Sequence, residues 1–180
     1  MVGDSLSASF GIEQSTGWVS LLDKKLAENH YKIRVINTSI SGETTQGGLQ
    51  RLPDLLGKYH PSIVILELGG NDGLRGLSLS MMKNNLQTMI TKTIASTANI
   101  LLIGIHLPPN YGQTYTNQFH QIYIDLAKQH KIPLVPFLLD GVAKQKGLMQ
   151  SDGIHPTAEA QSIMLENVWV KLRPMVEKLH

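Results

Sequence analysis

A doubly wound α/β domain with a parallel sheet is the fold class that this sequence predicts, on three observations. Short aliphatic runs alternate with longer segments of helical periodicity from end to end. Gly, Asn and Asp residues gather just after the aliphatic runs, where open α/β sheets bind ligands. The 180 residues suffice for one core but would leave two domains thinly packed, so a single domain over 1–180 is expected.

The elements follow in order. Met1 and Val2 read as the last residues of a strand leading into G-D-S-L-S, so most of a first strand is expected upstream of Met1. Trp18, Leu21, Leu22 and Leu26 then recur at helical spacing. Y-K-I-R-V-I-N (31–37) reads as a strand, and Leu49, Leu52, Leu55 and Leu56 mark the next helix. S-I-V-I-L-E-L (62–68) is a further strand, followed by the helical set Met82, Leu86, Met89 and Ile90. N-I-L-L-I-G-I (99–105), a helix over 113–130 and I-P-L-V-P-F (132–137) come next. The last helix is expected over 157–179, with Pro156 in its first turn and Ile163, Met164 and Leu172 facing inward. The sum is a central sheet of about five parallel strands between two helical layers, in which the strand ending at Val2 has neighbours on both sides. No internal repeat, low-complexity segment or linker interrupts it.

Composition removes several function classes. Hydrophobic residues at 42% and charged residues at 17% argue against disorder and coiled coil. The 16 Lys and Arg against 14 Asp and Glu, without a long basic run, leave no nucleic-acid footprint. No apolar stretch approaches the roughly 20 residues that span a bilayer, and M-V-G-D-S-L-S-A-S-F has no charged region followed by an apolar one, so neither a membrane span nor a signal peptide is read. The absence of Cys excludes disulfides, thiolate nucleophiles and Cys-based zinc sites.

The loops 40–48, 69–76 and 106–112 should line one site, because each follows a strand. A serine hydrolase needs a hydroxyl nucleophile, a base, a carboxylate that orients the base, and donors for the oxyanion. Ser5 sits at a strand-to-loop turn that can expose its hydroxyl and present its amide, although Gly-Asp-Ser is also an ordinary turn. G-x-S-x-G is not satisfied, since residue 7 is Ser, which disfavours an ordinary α/β-hydrolase. Asp152 and His155 stand three residues apart before the last helix, a spacing that lets the carboxylate reach one imidazole nitrogen and leaves the other free. Gly42 offers an amide without side-chain hindrance, and Asn71 an amide donor that does not ionise.

Taken together, G-D-S-L-S-A (3–8), S-I-S-G-E-T-T (39–45), L-G-G-N-D-G-L-R-G (68–76) and D-G-I-H-P (152–156) resemble the four blocks of the SGNH or GDSL hydrolases, in order. R-L-P-D-L-L (51–56) and L-P-P-N-Y-G (107–112) extend the likeness to the bacterial branch of multifunctional esterases, thioesterases, proteases and lysophospholipases. The resemblance implies a three-layer, flavodoxin-like α/β/α fold. It also implies a triad of Ser5, His155 and Asp152, an oxyanion hole from the Ser5 and Gly42 amides with the Asn71 side chain, and a periplasmic or secreted location.

Leu74, Leu77, Leu79, Leu107, Pro108 and Tyr111 supply apolar loop surface for an acyl chain, and His106 adds a second imidazole as a candidate substrate contact. Asp4 and Asp72 are expected to brace the turns around Ser5 and Asn71, and Glu67 to bond neighbouring loops from a strand end rather than act as a glycosidase acid. His30, His60, His120, His130 and His180 lack metal-ligand spacing, and the Gly-rich loops match no nucleotide fingerprint, so no cofactor or metal is expected. The expected partner is a small acyl ester or thioester, and the expected state a monomer. Two rivals stay open: a carbohydrate O-acetylesterase of the same superfamily, and a non-catalytic flavodoxin-like module that binds an anion.

Overall fold

The computed structural model describes residues 1–179; His180 lies outside the described residues. Its sheet has four parallel strands in spatial order β1 (Val2–Gly3), β2 (Ile63–Glu67), β3 (Asn99–Ile103) and β4 (Leu134–Val135). The helices are α1 (Trp18–Glu28), α2 (Thr45–Tyr59), α3 (Gly70–Leu74), α4 (Leu79–Ala95), α5 (Gln113–His130) and α6 (Gln161–Glu177).

Alternation along the strands builds two cores. Val64, Leu66, Ile100 and Leu102 point to one face and meet Leu52 and Leu56 of α2, Met82, Leu86, Met89 and Ile90 of α4, and Phe119 and Tyr123 of α5. Ile65, Leu101, Ile103 and Val135 point to the other and meet Trp18, Leu22 and Leu26 of α1 with Met164, Val168 and Leu172 of α6. Both strands are thus apolar on both faces, which is why they read as continuous aliphatic runs. The two long elements of the second layer are also joined by polarity: buried Gln161 of α6 accepts from the first amide of α1, at Trp18, at 3.0 Å.

Three expectations are corrected. Residues 31–37 form no strand; they are extended, with Tyr31, Ile33 and Val35 packed on the second core. The backbone of this segment meets β1 only at its C-terminal end, at Ile36 and beyond. There the parallel pattern does appear: the Met1 ammonium donates to the Ile36 carbonyl at 2.8 Å, Thr38 N to Met1 O at 3.0 Å and Ile40 N to Gly3 O at 3.0 Å. The extended segment therefore occupies the fifth place in the sheet, beside β1. Beside Met1, between Ile33–Ile36 and Ile63–Val64, lies a cavity of about 330 Å³ floored by Leu52 and Leu56. Second, the 132–137 strand shrinks to Leu134–Val135, since Pro133 and Pro136 on either side have no N–H to give a ladder. Third, Pro156 does not open the last helix. It pairs with Met149 in an antiparallel bridge, one 3₁₀ turn (Ala158–Ala160) intervenes, and α6 begins at Gln161.

Candidate active site

Ser5 follows directly on β1. Its neighbour Asp4 shapes the turn: the Asp4 carbonyl accepts from the amides of Ser7 and Ala8, and its Oδ1 from Leu6 N at 3.0 Å. Glu67, the last residue of β2 and fully buried, accepts from Asp4 N at 3.3 Å and Ser7 Oγ at 2.7 Å, which ties the turn to the sheet. A Cβ at Gly3 would lie 2.8 Å from Glu67 Oε2 and 2.7 Å from Met1 Cε, so a side chain there would push these side-chain ends aside. Asp4 and Glu67 thus brace and bond as the sequence suggested.

The antiparallel bridge before α6 presents His155. Gln150 N donates to the His155 carbonyl at 2.7 Å, and the Gln150 side chain donates to Phe10 O and Pro156 O, both at 2.9 Å, joining the Ser5 turn to the His155 turn. His155 Nε2 is 2.9 Å from Ser5 Oγ, and its Nδ1 is 2.6 Å from Asp152 Oδ2. The other carboxylate oxygen accepts from the amides of Ile154 and His155, at 2.9 and 3.0 Å. Burial alone raises the Asp152 carboxyl, but the two amides and the imidazole outweigh it and bring it down to about 2. An anionic Asp152 assigns the proton to Nδ1, which leaves Nε2 to accept from the Ser5 hydroxyl. The Phe10 ring packs on the imidazole, with centroids 4.4 Å apart.

The donors come from the loops after the extended segment and β2. Gly42 has φ +79°, and its missing side chain is required by that conformation rather than by space, since a Cβ would meet only Arg75 Nη2, at 3.5 Å. The amides of Ser5 and Gly42 have no acceptor among the described residues. Asn71, in the first turn of α3, donates from Nδ2 to Glu43 O at 3.0 Å and Asp4 Oδ2 at 3.2 Å, so an incoming oxyanion must take over one of these contacts. Buried Asp72 accepts from Thr45 N and Oγ1 and so fastens α3 to the start of α2, while Arg75 donates to the Gly42 carbonyl at 3.0 Å.

The loop residues expected to hold substrate divide. Leu107 is buried and packs on Gly73 and Phe119, so it belongs to the core. Leu74 and Leu79 are half-buried against the same core. Pro108 is half-buried, while Leu77 and Tyr111 are exposed and the Tyr111 hydroxyl donates to Leu74 O at 3.0 Å. His106 turns to His120 and Phe137, with its Nε2 3.2 Å from that of His120; burial and then His120 lower its proton affinity. Phe10, Gln150 and Arg75 were missed, and no local signal marks them: each reaches the site through a contact distant in sequence.

A hydroxyl whose proton has an imidazole acceptor, a carboxylate behind that imidazole and two unengaged amides nearby is equipped for acyl transfer through a covalent intermediate. Set on a three-layer α/β/α fold, it defines a serine hydrolase. Residues 1–163 match the GDSL-like lipase/acylhydrolase family, and the chain belongs to that family. It is 52% identical to Esterase TesA of Pseudomonas aeruginosa, over 98% of this chain and 88% of that protein. Thioesterase 1/protease 1/lysophospholipase L1 of Escherichia coli (strain K12) is 42% identical over 98% of this chain and 83% of its own. The solved structure of the psychrotrophic esterase EstA from a Pseudoalteromonas species, inhibited by monoethylphosphonate, superimposes with a TM-score of 0.92 at 38% identity, covering 98% of this chain and 96% of that one. The chain is a carboxylic ester hydrolase.

Proposed function

We propose that the protein hydrolyses small to medium carboxylic esters and acyl thioesters, with Ser5 as nucleophile, His155 as base and then acid, and Asp152 as its orienting carboxylate. The observation that carries this reading is the continuous hydrogen-bonded line from Ser5 Oγ through His155, 2.9 Å on one side, to Asp152, 2.6 Å on the other. Ser5 Oγ attacks the carbonyl carbon while Nε2 takes its proton. The carbonyl oxygen becomes an oxyanion that the Ser5 and Gly42 amides and the Asn71 amide can hold. Collapse expels the alcohol or thiol with the proton from Nε2, and water, activated by the same imidazole, releases the acid from the acyl-enzyme.

The names of the relatives, esterase and thioesterase 1/lysophospholipase L1, support that substrate class, and phosphonate inhibition of EstA supports a nucleophile of this kind. Exposed Leu77, Tyr111 and Phe10 are the apolar surface we assign to the acyl chain. We take the protein to act as a monomer, and we place its action in the periplasm or outside the cell. No helix among the described residues is long and apolar enough to cross a membrane.

Turnover of a p-nitrophenyl ester series and an acyl thioester series, by the protein and by Ser5→Ala, tests the reading. Both series should be hydrolysed, with kcat of Ser5→Ala lower by on the order of 10³-fold or more. Undiminished turnover by Ser5→Ala would overturn it, and activity on acetylated sugars alone would favour an O-acetylesterase.

A further inference from the structure

The reaction outlined above gives no role to Glu67, yet this carboxyl is fully buried and lies beside a second buried carboxyl, that of Asp4. Glu67 Oε2 accepts from the Asp4 amide at 3.3 Å, which sets the two carboxyls side by side. Two charges so enclosed and so near one another would repel strongly, and a proton on one of them relieves that repulsion. No Lys or Arg pairs with either among the described residues; the ion pairs there involve Glu166, Glu43, Asp152 and Glu177.

The partners show where the proton resides. Asp4 already accepts from Leu6 N at Oδ1 and from Asn71 Nδ2 at Oδ2, as a carboxylate does. Glu67 Oε2 accepts from Ser7 and Asp4 N, but its Oε1 is enclosed with no donor directed at it. A proton on Glu67 converts a costly orphan acceptor into a donor.

We propose that Glu67 is a positioning residue that shares one proton with Asp4, so that the pair carries a single negative charge behind the oxyanion site while Asp4 holds the Asn71 amide. This rests on the proposed role of Asn71. The titratable groups that act on the pair are His155, on Asp4, and Tyr123 from α5, and neither is a fixed cation. Burial raises both carboxyls, Asp4 to about 6 and Glu67 well above the carboxylate range, in accord with Asp4 as the anion and Glu67 as the acid near neutral pH. Loss of the shared proton would set a second negative charge behind the developing oxyanion and raise the barrier.

Infrared spectroscopy of the folded protein in ²H₂O at about pH 8, where ordinary carboxyls are ionised, tests this directly. The carbonyl stretch of a protonated carboxyl should appear in the wild-type protein and in Ser5→Ala and be missing from Glu67→Gln. Its absence from the wild type overturns the proposal, with no variant needed. In the kinetics, Glu67→Gln, which keeps a neutral donor, should retain most of kcat and lose the alkaline decline of kcat/KM. Glu67→Leu should lower kcat by on the order of tenfold or more with KM little changed. An alkaline limb unchanged in Glu67→Gln also overturns it. A stretch present in a protein whose Ser5 proves unreactive would sink the proposed reaction alone, and a reactive Ser5 without the stretch would sink the shared proton alone.

Discussion

At the residue scale, His155 and Asp152 differ in what they do with the proton. His155 moves it, while Asp152 fixes the tautomer and offsets the imidazolium charge, so His155→Ala should lower kcat more than Asp152→Ala. Stopped assays on the two variants decide the order, and a crippling His106→Ala beside a mild His155→Ala would reverse the assignment. Asn71→Ala should lower kcat by roughly 10² to 10³ with little change in KM, because its donation matters most in the transition state. These residues were singled out by the order of four short blocks and their resemblance to the SGNH hydrolases, since Gly-Asp-Ser alone is an ordinary turn and Asp and His three apart alone mark no role. The burial of Leu107 was not legible, since a Leu in a loop reads the same whether it faces solvent or Phe119, and only the packing of α5 decides. The pairing of His106 with His120 was not legible for a similar reason, His120 coming from α5.

Elements are positioned by close backbone approaches that a sequence pattern does not display. Gly104, just past β3, donates to Val135 O at 2.8 Å and accepts from Leu138 N at 3.1 Å, and a Cβ there would lie 2.3 Å from the Pro136 carbonyl oxygen. Backbone cannot swing aside as a side chain can, so Gly104→Ala should cost ~2–4 kcal/mol and lower the melting temperature by several degrees. Gly57, exposed in α2 with nothing within 4 Å of a built Cβ, is the control: Gly57→Ala should gain ~0.5–1 kcal/mol in the same thermal melt. Equal effects at the two glycines would contradict the packing described. The long α-helices and the long central strands were legible from periodicity and aliphatic runs; the short α3, inside the segment 69–76 read as a loop, was not. The segment 31–37 was misread because its alternation is genuine, and Tyr31, Ile33 and Val35 do face the core, but a strand also needs a partner along its length and this segment bonds to β1 only from Ile36 on.

For the molecule as a whole, the 330 Å³ cavity beside Met1 and the charged end of the chain are linked. The Met1 amine is pushed down to about 6, first by burial and then by Arg51. Between its folded value of about 6 and its unfolded value of 8.0, the unfolded chain binds more protons, so this group makes stability rise with pH across that window and leaves it level below about 6, where both states bind the proton. What the whole fold achieves is to bring Ser5 from the first strand and His155 from the last turn within 2.9 Å across a separation of 150 residues. Treatment of the folded protein with a fluorophosphonate, followed by peptide mass mapping, tests that claim most directly. One adduct is predicted, on the peptide carrying Ser5, and its yield should collapse in His155→Ala. An adduct on a different serine, or an active protein with no adduct, would contradict the account.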